Sequence, residues 1–319
     1  MKAIRVTQFG GPEVLKLEEI PVPKPGPGQV LVALKAAGVN PVETYVRSGK
    51  YGKVPTLPYT PGADGAGLVE AVGAGVTQFK PQDRVYVISA PGTYAEKVLV
   101  SASNVFALPA NITFAQGAAL GVPYSTAHRA LFHRGKAQDG ETVLIHGASG
   151  GVGTAAIQLA KRAGLIVIGT AGSEKGEALV KSEGADTTLD HNDPLFAEKL
   201  NQATEGKGVD LIIEMAAHVN LGKDLGYLAK YGRVVIVGSR GPVEINPRDA
   251  MGRDADIRAM TLFNATPEEL AEIQADLIRG LKDSSLNPII SREFALQDAP
   301  RSHEAIGTPG ANGKIVLIP

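Results

Sequence analysis

"TVLIHGASGGVGTAAIQLAKRAG", residues 142–164, sets an apolar run, a glycine-rich turn and a helical stretch in immediate succession. Ala148, Gly150 and Gly153 keep an A-x-G-x-x-G spacing, with alanine in place of the first glycine of the dinucleotide-binding fingerprint. In that pattern Gly150 lets the backbone approach a pyrophosphate and Gly153 lets the helix pack close to the strand. The first-turn amides of the helix then point at the anion. A glycine triplet alone is a weak signal. What strengthens it is its place between two apolar runs, because "LIVIGT" (165–170) follows the helix directly. The contacts expected are mostly backbone, from Ser149, Gly150, Gly151, Val152 and Gly153.

Beyond this unit, "VDLIIEM" and "GRVVIVG" are further continuous apolar runs separated by helical stretches. Such runs suit parallel strands covered on both faces, and their alternation with helices describes a doubly wound α/β sheet over residues 123–263. The second strand would end in an acid if the bound ribose carried a free 2'-hydroxyl. It ends instead in Gly172, Ser173, Glu174 and Lys175. Glu174 lies about 20 residues after Gly153, the usual interval for a hydroxyl-binding acid. The Lys175 charge and the small Ser173 hydroxyl suit a 2'-phosphate better, and an ordinary solvated turn is the bland alternative.

The flanking sequence has another texture. Residues 1–122 are rich in proline and glycine with short β-branched runs ("QVLVALKAAGV", "GAGLVEAVG", "DRVYVIS"), as in a β-rich, barrel-like domain. After Phe263, "ATPEELAEIQADLIRGL" carries a helix start in Thr266, Pro267 and Glu269, and strand-like "PIISREF" and "GKIVLIP" follow. This tail is too short for a domain. It is expected to return to the first one, giving 1–122 with 264–319 around a central nucleotide-binding insertion and a cleft beside it. "GVNPVETYVRSGKYG" (38–52) gathers Asn40, Glu43, Tyr45, Arg47, Lys50 and Tyr51 between glycines and reads as shaped loop. Arg47 and Lys50 read as rim charges, with Glu43 paired to one of them, and "GANGK", ending in Lys314, as a plain turn.

Composition excludes several classes. The 319 residues contain no cysteine, which rules out disulfides, thiolate catalysis and cysteine-based zinc sites. A formal charge of -1 with interspersed signs offers no stripe for nucleic acid and no polybasic membrane anchor. No segment reads as a signal peptide or a membrane span, so a cytoplasmic protein is expected. None of the six histidines shows ligand spacing; His133 and His303 read as surface helix residues and His146 as a strand-end residue.

"FGGPEVLKL", "GVNPVETYVRSGKY", "LPYTPGADGAG", "HGASGGVG", "EMAAHVNL" and "VGSRGPVEINPRD" follow one another in an order that resembles the zeta-crystallin type of NADPH:quinone oxidoreductase. That type is a zinc-free branch of the medium-chain dehydrogenase/reductase superfamily. The resemblance implies a GroES-like catalytic domain with a Rossmann NADPH-binding domain. It also implies no metal: Asn40 and Pro41 stand near the place of a ligating cysteine in zinc-dependent relatives, and Gly62 to Asp64 stand in place of Gly-His-Glu.

Asn40, Tyr45 and Tyr51 are then expected near nicotinamide and substrate, with Asn40 and the phenols donating to a developing quinol oxygen. Further cofactor contacts carry over to Thr126, to Gly172, Ser173, Lys175 and His191 at the adenosine end, and to Asn220. Val237, Gly238, Ser239, Arg240, Thr261 and Leu262 would line the nicotinamide side. A small-molecule quinone is the expected substrate and a homodimer or homotetramer the expected assembly, with residues 240–263 at the interface. Reduction of enone or alkenal double bonds and a structural, crystallin-like role are the competing readings.

Overall fold

The computed structural model describes residues 1–52, 54–308, 310 and 312–319, which form two compact units. One comprises Met1–Val122 with Ile278–Pro319, the other Pro123–Leu277.

The first unit begins with a hairpin-like pair, β1 (Lys2–Arg5) antiparallel to β2 (Lys16–Glu19). It continues through β3 (Gln29–Val39), α1 (Pro41–Arg47), β4 (Asp64–Val72), β5 (Arg84–Val87), β6 (Lys97–Ser101), β7 (Val105–Ala107) and the single turn α2 (Phe114–Gly117). The second unit holds α3 (Ser125–His128), β8 (Thr142–Ile145), α4 (Gly151–Arg162), β9 (Ile166–Ala171), α5 (Glu174–Ser182), β10 (Thr187–Asp190), α6 (Phe196–Ala203), β11 (Val209–Glu214), α7 (Ala217–Tyr227), β12 (Leu228–Ile236), α8 (Pro247–Met251) and β13 (Asp256–Ala259). The long α9 (Pro267–Lys282) leads back to β14 (Ile290–Ala295), α10 (Ala299–Gly307) and β15 (Lys314–Ile318) in the first unit.

In the second unit six parallel strands lie in the order β10-β9-β8-β11-β12-β13. Counted from β8 this is 3-2-1-4-5-6, the Rossmann order, and its direction reverses between β8 and β11, where such sheets bind ligands. The apolar runs of the sequence are β8, β9, β11 and β12. The core joins Leu144, Ile168, Ile212 and Val234 of the sheet to Leu221 and Leu225 of α7. α4 is buried without interruption from Gly153 to Ala160.

In the first unit β3 is central: β4 lies along one edge, and β6 and β15 share the other. The C-terminal strand pairs Ile315 with Val39 and Val316 with Gly38, so the tail completes the first domain's sheet. Ile4, Val39, Tyr94, Ile315 and Leu317 share one core, and Val30, Val69, Val85 and Val98 another.

Two local readings change. The stretch 38–52 contains α1, because Asn40-Pro41-Val42-Glu43 is a helix start: the Glu43 carboxylate accepts from the Asn40 backbone N–H at 2.8 Å, and Pro41 occupies the first turn. The expected return at residue 264 falls ahead of α9, whereas the two units meet at Leu277 and Ile278 within it. The first half of α9 is tied to the second unit, by Arg129 to Glu269 at 3.0 Å, Gln274 to Ser125 at 2.8 Å and Arg162 to Asp276 at 3.0 Å. The start of α9 is as read, with Thr266 and Glu269 exchanging hydrogen bonds at 3.2 and 3.3 Å.

Candidate functional site

The fingerprint turn lies beside the topological switch point of the second unit. A side-chain carbon at Gly153 would come within 2.4 Å of the Gly147 carbonyl oxygen, so only glycine lets α4 approach β8 this closely. Gly150 caps α4 without any side-chain hydrogen bond. The first amides of a helix lack intrahelical acceptors and suit a pyrophosphate. Ser149 and Ser173 converge here: a carbon added at Gly176 would meet their hydroxyl oxygens at 3.3 and 3.2 Å.

The adenosine-side residues also gather. A carbon at Gly172 would lie 2.6 Å from His191 Nε2. Ser173 is the N-cap of α5, accepting from the Gly176 N–H at 3.2 Å, which leaves its own hydroxyl hydrogen for a ligand. Lys175 and His191 are exposed. Across the switch point, Asn220 Nδ2 donates to Glu214 at 3.3 Å, and the Val237 and Gly238 N–H groups donate to the Glu214 carbonyl at 2.8 and 3.2 Å. Arg240 N–H donates to His218 Nδ1 at 3.2 Å, and the Ser239 hydroxyl to the Gly241 carbonyl at 2.9 Å. Thr126 is buried in α3; Thr261 offers its carbonyl to Arg129 at 3.1 Å, and Leu262 opens a short 3-10 turn. The candidate cofactor residues of this unit thus fall mainly along the C-terminal ends of the parallel strands.

The first unit contributes a buried polar cluster that sheet register builds. Gly38 pairs with Asp64 across β3 and β4, and with Val316 across β3 and β15, which brings Lys314 to Asn40. Asn40, 1% exposed, donates through Nδ2 to Asp64 at 2.9 Å and to Glu43 at 3.1 Å, while its Oδ1 accepts from the Lys314 ammonium. Asp64 also accepts from Val122 N–H at 3.0 Å and lies 3.8 Å from Lys314 Nζ. Gly121 is obligatory here, since a side-chain carbon would sit 2.1 Å from Asp64 Oδ1.

A relay runs on from Glu43. Arg47, which has no acceptor, donates to His303 Nδ1 at 3.3 Å, so the neutral ring carries its hydrogen on Nε2 and donates to Tyr94 at 3.0 Å. Tyr94 donates to Glu43 at 2.6 Å. Burial pushes the His303 pKa down to about 3, helped by Arg47, and raises Glu43 to about 7 against the pull of Lys314. Burial also raises Asp64 and lowers Lys314, each opposed by the other's charge.

These contacts correct five readings. Asn40 has both amide hydrogens and its carbonyl committed inside the cluster, so it positions α1 rather than donating outward. Arg47 and His303 are buried, at 7% and 3% exposure, instead of lying on the rim or surface. Glu43 pairs with Asn40 and Tyr94, not with Arg47 or Lys50. Lys314, read as part of a turn, is the cluster's cation; no local pattern could have found it, because its partner Asn40 is 274 residues away. Glu43 and Arg47 are four apart on the buried face of α1, which turns Tyr45 to the opposite, half-exposed face; Tyr51 is half-exposed beyond the helix.

The chain matches two family descriptions, "Alcohol dehydrogenase GroES-like domain" over residues 26–110 and "Zinc-binding dehydrogenase" over 151–279. Zinc does not fit at Asn40 and Asp64: neither a thiolate nor an imidazole is present there, and an ammonium already answers the carboxylate. Among curated proteins the chain is 49% identical over 321 residues to a quinone oxidoreductase of Lama guanicoe, covering 100% of this chain and 97% of that one. Among solved structures it resembles the Escherichia coli quinone oxidoreductase complexed with NADPH, with TM-score 0.91, 30% identity and full coverage of both chains. It also resembles an NAD-dependent alcohol dehydrogenase, with TM-score 0.94, 31% identity and full coverage of both.

A carboxyl group whose pKa is raised on folding adds stability that is complete below its unfolded value and is lost as pH rises through the folded one. For Glu43 that window runs from 4.5 to about 7. Glu43→Gln keeps an acceptor for Asn40 and Tyr94 but cannot ionise. Chemical denaturation at pH 5 and pH 8 is expected to show the variant losing less stability than the parent, by on the order of 2 kcal/mol. Equal losses would mean that Lys314 keeps Glu43 ionised throughout.

Proposed function

Because the chain belongs to the quinone oxidoreductase family of medium-chain dehydrogenases/reductases, an oxidoreductase family, we propose that it reduces small quinones with NADPH and without a catalytic metal. The observation that carries this reading is the 49% identity to a quinone oxidoreductase along the whole chain. NADPH, when bound, supplies the hydride. The residues of the chain hold and orient it: the amides from Ser149 to Gly153 take the pyrophosphate, and Ser173, Lys175 and His191 take the 2'-phosphate. Val237, Gly238, Ser239, Arg240, Asn220, Thr126, Thr261 and Leu262 complete the cofactor contacts.

A quinone needs no Lewis acid to accept hydride, because its conjugated ring takes the charge; it needs stacking and hydrogen bonds at its oxygens. Tyr45 and Tyr51 offer flat walls and phenol donors for that purpose. Asn40 supports them indirectly by fixing the start of α1. A small cytoplasmic enzyme suits this reading. Among the described residues no helix is long and apolar enough to cross a membrane.

Three measurements test the proposal. Loss of nicotinamide absorbance is expected with an ortho-quinone, unaffected by a chelator; turnover of an enone alone, no turnover at all, or activity restored by zinc would each reject it. Lys175→Ala is expected to weaken NADPH by about 10- to 100-fold, the worth of a charge-assisted hydrogen bond, and to leave NADH nearly unchanged. Equal losses for both cofactors would make Lys175 a loop residue. The segment 240–263, which holds the edge strand β13 and exposes Ile257 and Phe263, is the proposed contact of a homodimer or homotetramer, and light scattering that reads a monomer at micromolar concentration would remove it.

A further inference from the structure

At the C-terminal ends of β8 and β11, on the two sides of the switch point, three ionisable side chains from different elements meet out of water. Glu214 and Asp224 are 0% exposed and His146 6%. His146 Nε2 lies 2.9 Å from Asp224 Oδ1 and 3.6 Å from Glu214 Oε2. Glu214 Oε1 accepts from the Ala216 N–H and from Asn220 Nδ2. The other carboxylate oxygens, Glu214 Oε2 and Asp224 Oδ2, are buried with no hydrogen-bond donor. One donor atom from each of the three residues lies within 4.8 Å of the others. Among the described residues, the ionisable groups facing this cluster are His146 just past β8, Glu214 from β11, and Asp224 and Tyr227 from α7. α6 brings the Phe196 ring beside His146, and among the described residues the ion pairs of the two carboxylates are with His146 and not with a lysine or arginine.

One Nε2 hydrogen cannot serve two carboxylates, and two desolvated like charges at this range do not both ionise. The orphaned oxygens call for one more proton between them. The same three residues are joined to the cofactor-side segments. His146 N–H donates to Ile213 O at 3.1 Å and leads into the fingerprint turn; Glu214 holds Ala216 and Asn220 of the α7 start through its side chain, and Val237 and Gly238 through its carbonyl.

We propose that His146, Glu214 and Asp224 are positioning residues for the dinucleotide: a proton shared by the two carboxyl groups keeps the ends of β8 and β11 and the first turn of α7 in the arrangement that binds NADPH. This rests on the cofactor reading above. Burial holds both carboxyl groups well above the usual carboxylate range and lowers His146, so the shared proton is kept into the neutral range and the imidazole does not replace it once it leaves. Cofactor affinity therefore falls as pH rises through that range, and bound cofactor retains the proton. The two carboxyl groups titrate as a pair.

The experiment is a fluorescence titration of the full chain with NADPH and with NADH between about pH 6 and pH 9, for the parent, Asp224→Asn and Glu214→Gln. Each amide donates permanently to the opposite carboxylate in place of the shared proton, and either variant carries the test if the other fails to fold. The parent's dissociation constants are expected to rise about tenfold over the range, the factor for one unit of coupling, and those of the variants less than about threefold. The NADH arm removes the cofactor's own 2'-phosphate titration, and His191 is common to all three proteins. Equal pH slopes in parent and variants would overturn the proposal. Stoichiometric zinc in the dialysed parent that is lost in Asp224→Asn would also overturn it, by putting a cation where the proton is placed. Failure of the parent to bind either cofactor at any pH would overturn the cofactor reading, and this inference with it.

Discussion

A carboxylate taken out of water has to be answered by a cation, a set of donors or a proton, and both units are organised around that requirement. In the first unit the answer to Asp64 is the Lys314 ammonium, the Asn40 amide and the Val122 N–H. None of these is near Asp64 in the sequence. They meet because β3 pairs with β4 on one side and β15 on the other, with Gly38 leaving room where the three strands converge. Removing one partner of such a buried pair is far more costly than never having built it, about 3–5 kcal/mol, so the register of three strands and the ionisation of one residue are mutually dependent.

The second unit answers the same requirement differently. Among the described residues, Glu214 and Asp224 have the His146 imidazole and each other, and no ammonium or guanidinium is paired with them. A lysine there would bring a fixed positive charge next to the strand ends; a proton gives neutrality that follows pH. The first cluster fixes α1 and hence the direction of Tyr45. The second lies beside the strand ends that carry the candidate dinucleotide contacts.

Much of this architecture was legible in the sequence, and the division between what was and was not is physical. β8, β9, β11 and β12 are buried on both faces and therefore read as apolar runs, and the glycine turn reads through its spacing. The start of α9 declares itself in Thr266, Pro267 and Glu269. β10 and β13 are short edge strands, "TTLD" and "DIRA", that need little apolar side chain and leave no run to find. α1 was hidden by its glycine boundaries, although Asn40, Pro41 and Glu43 spell a helix start. Lys314, Arg47 and His303 owe their burial to pairings across 256 and 274 residues, which no periodicity records. The candidate cofactor residues, being backbone turns and strand ends, sit closer to what local pattern can express than the charged cluster does.

The return of the chain to β3 has a consequence for synthesis. On the ribosome, Asn40 and Asp64 emerge long before Lys314, while every strand of the 3-2-1-4-5-6 sheet is complete by Ala259. The central unit can therefore close while the first still shows water an unpaired edge of β3 and an unanswered carboxylate. Domains fold as units in the order in which they are finished, and open strand edges invite wrong partners in the interval. The later-made segment is a separate gatekeeper: a nascent chain stalled short of Lys314 would carry a finished nucleotide fold joined to an incomplete sheet, a species for chaperones to hold rather than a smaller version of the protein.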